Sequence, residues 1–259
     1  MPRILHLSDL HFGRERADLV DAVLSQAQQL APDLVVISGD LTQRARPHEL
    51  AAARRFVEAL PAPVLVVPGN HDIPGVTPRR LLAPWHRWQQ VFPDGFEPVF
   101  RGADLTAVGA NSVRVGGPYL DWSRGGLDDA QVERLARRLE QSPATDLRVL
   151  ALHHPLLLTE AGRHRGLVGG AAPALRRLAR AGLDVALGGH VHLPYAGRVQ
   201  GVVVAHAGTT VSDRLVGVAN GFNVLDADRA SIQVEHWQAT DGRFVPGKRS
   251  RFPRRTRLD

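Results

Sequence analysis

The sequence has no cysteine, one methionine and a single lysine, Lys248, and only 5% of its residues are aromatic. Without cysteine there are no disulfides, no thiolate metal ligands and no cysteine nucleophile. No apolar run is long enough to span a bilayer. The start, Met1-Pro2-Arg3-Ile4-Leu5, runs into a short strand and then polar residues, unlike a signal peptide, so a cytoplasmic location is expected. With lysine scarce, arginine carries the formal net charge of +6. Solubility is the plainer use of that charge; attraction of phosphates or nucleic acid is the sharper one.

What the chain does have is a large apolar share, 44% of 259 residues, enough to bury the core of one large α/β domain. Short apolar runs end at 7, 37 and 67, and amphipathic helices are predicted between them over 17–31 and 47–60. This β-α-β-α-β order predicts a parallel sheet with right-handed crossovers. A helix is expected over 78–92, with Leu81, Leu82, Trp85, Trp88 and Val91 on one face. Further strands are expected over 105–110, 149–152 and 184–187, and helices over 128–140, N-capped by Asp128, and 172–181, closed by Gly182. Beyond 192 the helices stop, and strands over 197–207, 222–226 and 231–238 suggest antiparallel pairing. The expected organisation is one domain over 1–246 and a basic tail over 247–259, where six of the residues are Lys or Arg.

Five strand ends carry the chemistry. They hold Asp9 and His11, then Asp40, Asn70 with His71, His153 with His154, and His190 with His192. The pattern places all of them at the carboxyl ends of strands, where open α/β sheets bind ligands. Carboxylate, carboxamide and imidazole without sulfur suit Mn, Fe, Zn or Co rather than Ca or Cu(I). In Asp-x-His and His-x-His, alternate residues of an extended segment would reach one region. Asp72 is expected to orient His71.

Taken together, Asp9-Leu10-His11, Gly39-Asp40, Gly69-Asn70-His71-Asp72, His153-His154-Pro155 and Gly189-His190-Val191-His192 resemble the calcineurin-like metallophosphoesterase family. Within it they look most like bacterial class III cyclic nucleotide phosphodiesterases and glycerophosphodiesterase relatives. The resemblance implies a four-layer αββα sandwich of two mixed sheets flanked by helices. It implies two metal ions (Mn, Fe or Zn). Asp9, His11 and His192 would hold one, Asn70, His153 and His190 the other, and Asp40 would bridge them. It also implies attack by a metal-bridging hydroxide, with His71 as the catalytic acid for the leaving group.

A small phosphodiester is therefore the expected substrate, a 3',5'-cyclic nucleotide or a glycerophosphodiester. A nuclease using the basic tail, a phosphomonoesterase and a non-catalytic metal scaffold are the alternatives. Substrate contacts are sought in the loops over 111–126 and 156–170, at Arg114, Tyr119, Trp122, Arg124, Arg163 or Arg165, and His206 is a further residue that can face the site. The pattern leaves the oligomeric state open.

Overall fold

Short apolar strands and amphipathic helices can bury their faces only by stacking in layers, and the layers here are set by residue alternation along the strands. The structure, a computed structural model, describes residues 1–75, 77–116 and 124–255. Its first half runs β1 (Arg3–Leu7), α1 (Ala17–Leu30), β2 (Leu34–Ser38), α2 (Pro47–Ala59), β3 (Val64–Val67), α3 (Pro78–Leu82), α4 (His86–Val91), β4 (Val99–Gly102) and β5 (Leu105–Gly109). The second half runs α5 (Asp129–Glu140), β6 (Leu147–Ala151), a 3-10 turn (Glu160–Arg165), α6 (Ala171–Arg180), β7 (Val185–Gly188), β8 (Tyr195–Val199), β9 (Val202–His206), β10 (Gly221–Ala227), β11 (Ser231–Thr240) and β12 (Arg243–Pro253).

Two mixed six-stranded sheets form, in the orders β12-β11-β10-β1-β2-β3 and β4-β5-β6-β7-β9-β8. Strands β1, β2 and β3 are mutually parallel, as are β5, β6, β7 and β9. Ile4, Val36 and Leu65 of the first sheet pack on Ala107, Val149 and Leu187 of the second. Their sequence neighbours point outward. Leu5, Val35 and Ile37 meet α1 and α2, while Val108, Leu150 and Ala186 meet α5 and α6. The result is the expected four-layer αββα sandwich. No described helix is long and apolar enough to cross a membrane.

Four local expectations are corrected. The helix over 78–92 is two short helices, broken at Ala83 (φ −152°, ψ 59°), because Pro84 excludes the residue before it from the helical region. Leu81 and Leu82 are consequently 71% and 83% exposed, while Trp88 is fully buried. The strand over 197–207 is a hairpin of β8 and β9, turning at Gln200 and Gly201, both with positive φ. The loop over 156–170 contains the 3-10 turn. Finally, residues 247–253 of the basic run are not a tail but the second half of β12, with 249–253 paired to β11 beyond a register shift opposite His236.

A polar ladder crosses three strands of the first sheet. His6, Asn223 and His236 stand opposite one another, with Asn223 Nδ2 donating to His6 Nδ1 (3.4 Å) and His236 Nδ1 donating to Asn223 Oδ1 (3.0 Å). Burial pushes His6 down to about 3 and His236 down to about 4, from 6.5. Such a ring takes its proton on unfolding rather than in the folded state, so stability falls as pH drops below 6.5 toward the folded value. His236 alone should account for about 2 kcal/mol of lost stability at pH 5 relative to pH 8. Urea unfolding of metal-free protein at both pH values checks this. His236→Gln, which keeps a donor for Asn223, should lose correspondingly less on acidification. An unchanged pH dependence would contradict the assignment.

Candidate metal centre

The five loops meet where the carboxyl ends of β1, β2 and β3 face those of β6 and β7. The side chains converge there by a different local geometry from the expected strand alternation. Asp9, His11, Asp40, His190 and His192 all adopt left-handed backbone, with φ of 52°, 47°, 53°, 73° and 58°. Each such non-glycine residue costs about 1–3 kcal/mol, which the surrounding packing must hold in place. Between the members of each pair, Leu10 and Val191 are buried in the core and anchor the turn. The preceding glycines are there for room. A Cβ on Gly69 would lie 2.2 Å from Asp40 Oδ1, and one on Gly189 would lie 1.9 Å from Ser8 Oγ.

Two groups of donors result. In the first, His192 Nε2 lies 3.2 Å and His11 Nε2 3.8 Å from Asp9 Oδ1, and the two imidazole nitrogens are 3.3 Å apart. In the second, Asn70 Oδ1 lies 3.1 Å from His153 Nε2 and 3.0 Å from His190 Nδ1. Asp40 Oδ2 sits between the groups, 3.7 Å from His11 Nε2 and 3.5 Å from His153 Nε2. His153 donates through Nδ1 to the Ser38 carbonyl (2.9 Å), and His192 through Nδ1 to the Arg214 carbonyl (2.7 Å). Those bonds fix the ring orientations and turn both Nε2 atoms into the site. His154 lies beside His153 and His190, with its Nδ1 on Ser112 Oγ (2.7 Å). It is His153 whose Nε2 meets both Asp40 and Asn70.

The electrostatics fit a cation. Burial works against the charged form of Asp40, yet His153, His71 and His11 outweigh it and hold the carboxyl well below the usual range. Burial would likewise lower His153, but Asp40 overrides it and raises the ring to about 9. Burial pushes His11 and His190 down to about 3, leaving neutral imidazoles with lone pairs to give. Asp9 Oδ1 is buried and makes no hydrogen bond of good geometry among the described residues. Two facing imidazole nitrogens, an unsatisfied carboxylate oxygen and a second buried carboxylate are a donor set that divalent metal ions would satisfy.

The remaining candidates resolve as follows. Asp72 does not orient His71. It is buried and accepts from the backbone N–H of Leu41, Thr42 and Gly69, which ties the Asp40 loop to the Asn70 loop. His71 is held instead by its own Nδ1, which donates to the Gln43 carbonyl (2.8 Å). His206 is buried behind the site, bonded to the Gly189 carbonyl and stacked on Tyr195. Arg114 pairs with Asp128 and Arg163 with Glu160, and Arg124 donates to the Leu167 carbonyl. Tyr119 and Trp122 lie outside the described residues. Arg214, which carries no motif in the sequence, enters the site with Nη1 2.9 Å from His71 Nε2. A cleft of about 940 Å³ opens beside Asn70 and His71. It is lined by Arg44, Arg46, Arg79 and Arg87, with no carboxylate among its described lining residues.

Comparison with known proteins gives the family and the fold. The model of the family described as calcineurin-like phosphoesterase matches residues 2–194. The chain is 29% identical over 241 residues to the cAMP/cGMP dual specificity phosphodiesterase MT0825 of Mycobacterium tuberculosis, covering 84% of this chain and 70% of that protein. It is 41% identical over 80 residues to the glycerophosphodiester phosphodiesterase GpdQ of Enterobacter lignolyticus, covering 27% of this chain and 29% of GpdQ. The chain spans 29%, 48% and 52% of the length of three of the curated relatives it matches. In fold, purple acid phosphatase PPD1 from yellow lupin superposes with a TM-score of 0.71 at 15% identity, over 95% of this chain and 52% of that one. The order of the five motifs, the paired sheets that carry them and the match over most of the chain have one reading: the chain belongs to the calcineurin-like phosphoesterase family.

Proposed function

We propose that the protein is a dinuclear-metal phosphodiesterase of small phosphodiesters, either 3',5'-cyclic nucleotides or glycerophosphodiesters. The observation that carries this reading is Asp40 Oδ2, within 3.7 Å of His11 Nε2 in one donor group and 3.5 Å of His153 Nε2 in the other. On this reading Asp9, His11 and His192 hold one ion, Asn70, His153 and His190 hold the second, and Asp40 serves both. Ions such as Mn, Fe or Zn, when bound, neutralise the phosphoryl oxygens and make water nucleophilic at neutral pH. The chain's own residues do the rest. His71, oriented by the Gln43 carbonyl, gives a proton to the leaving oxygen, and the arginine-lined cleft beside it receives the leaving alcohol.

The relatives' names support diesters over monoesters, since they specify cyclic nucleotides and glycerophosphodiesters. The nuclease alternative is the less favoured reading of the basic run. Arg249 pairs with Glu235, and Arg254 and Arg255 bond carbonyls of the body of the protein, which leaves Lys248 and Arg251 as exposed cations of the described run.

The test is to strip the protein of metal, reload it with manganese and compare a chromogenic phosphodiester with the matching monoester. Diester turnover above monoester turnover, abolished by chelator, is the expected result. A preference for the monoester would make it a phosphomonoesterase, and no turnover of either would favour the scaffold.

A further inference from the structure

Arg214 lies in the loop between β9 and β10, and that loop is fixed independently of its side chain. The neighbouring Asp213 is paired with Arg14 (2.8 Å), and Glu15 bridges to Ser212. The Arg214 carbonyl accepts from His192 Nδ1 (2.7 Å) and Thr209 Oγ1 (3.3 Å). The guanidinium, half-buried, turns inward. Its Nη1 lies 2.9 Å from His71 Nε2, and 3.3 and 3.4 Å from the two ring nitrogens of His11. Among the described residues no carboxylate comes within 4.0 Å of it, although Arg14, Arg177 and Arg249 all have such partners. Nε and Nη2 make no hydrogen bond within the described structure.

A half-buried guanidinium is costly without an anion, and its planar fork of N–H donors matches two oxygens of a phosphoryl group. Here the fork has only imidazole nitrogens as acceptors, and it points at the place where Asp40, His11 and His71 converge. We infer that Arg214 is the residue that grips the substrate's phosphoryl group, releasing His71 Nε2 as it does so. The second half follows from hydrogen-bond geometry. His71 Nδ1 donates to the Gln43 carbonyl and Nε2 accepts from Arg214, so the bond to Arg214 must break before Nε2 can meet an ester oxygen. A phosphate anion draws the guanidinium away and leaves Nε2 facing that oxygen. This inference rests on the phosphodiesterase reading above and adds to it the contact that recognises the phosphoryl oxygens.

The test uses manganese-loaded wild type, R214K and R214Q. It measures the affinity of inorganic phosphate by calorimetry, the metal content, and KM and kcat on a chromogenic phosphodiester. A charge-assisted pair of hydrogen bonds of this kind is worth about tenfold or more in affinity. R214Q should bind phosphate about tenfold more weakly or worse, with KM raised and metal content unchanged, and R214K should recover part of the loss. Phosphate binding by R214Q equal to wild type would overturn the inference. So would loss of metal from R214K and R214Q alike, which would give the Arg214 side chain only a structural part in the metal centre. Wild type that binds phosphate through Arg214 but cleaves no diester would instead count against the phosphodiesterase reading and leave the role of Arg214 standing.

Discussion

Asp40→Ala should strip the protein of both metal ions and lower phosphodiester turnover by on the order of 10³-fold. Asp40 is buried, and among the described residues its carboxylate alone pairs with both His11 and His153. The substitution also frees the His71 backbone N–H, which donates to Asp40 Oδ1 at 2.8 Å. The two losses reinforce each other. Without a shared carboxylate each donor group is left short of negative charge, and the loop carrying His71 loses one of its anchors. Elemental analysis of purified protein reads the result directly. Full occupancy of two metals in Asp40→Ala would remove the basis for a shared ligand.

His71→Ala should behave in the opposite way, keeping its metals and losing chemistry. Both ring nitrogens are engaged by groups outside the donor set, Nδ1 by the Gln43 carbonyl and Nε2 by Arg214, so removing the ring takes away no ligand. A general acid contributes about 10²–10⁴-fold, and most where the leaving oxygen is basic. Turnover of an alkyl phosphodiester should therefore fall by about that factor, and turnover of a nitrophenyl diester, whose leaving group departs unprotonated, should fall much less. A plot of log kcat against leaving-group pKa would become steeper in the variant. Equal losses across the series would show that His71 does something other than donate a proton.

Much of this architecture was legible because strand ends announce themselves. An apolar run followed by Ser-Asp, Gly-Asp, Pro-Gly-Asn-His, His-His-Pro or Gly-Gly-His marks both the end of a strand and a polar side chain delivered there. Periodicity likewise located α1, α2 and α5, and the cap at Asp128 holds as expected, its side chain accepting from Gln131 N (2.8 Å). What the pattern concealed were effects of single residues. Pro84 cuts an apparently continuous amphipathic helix. Gln200-Gly201 reverses an apparently continuous strand. The arginines after Gly247 read as a solvated run, because alternation in β12 is masked by an edge strand that buries little beyond Phe244.

The site was legible as a list of residues and not as a mechanism of convergence. Asp-x-His and His-x-His suggested extended segments, whereas left-handed turns at all four of those residues bring them together. Asp72, adjacent to His71 in sequence, faces away from its ring, because three backbone N–H groups of two loops claim its carboxylate. Arg214 could not be found at all from sequence. It follows Val211-Ser212-Asp213 in an ordinary polar loop, and only the fold brings that loop, 143 residues away in sequence, against His71.

The central claim is that two ions sharing Asp40 act as one centre, and one titration tests it most directly. Manganese is added to metal-free protein while bound metal per chain and phosphodiester turnover are followed together. The account predicts little turnover through the first equivalent, a rise to full activity as the second binds, and no further gain. Full activity at one manganese per chain would contradict it.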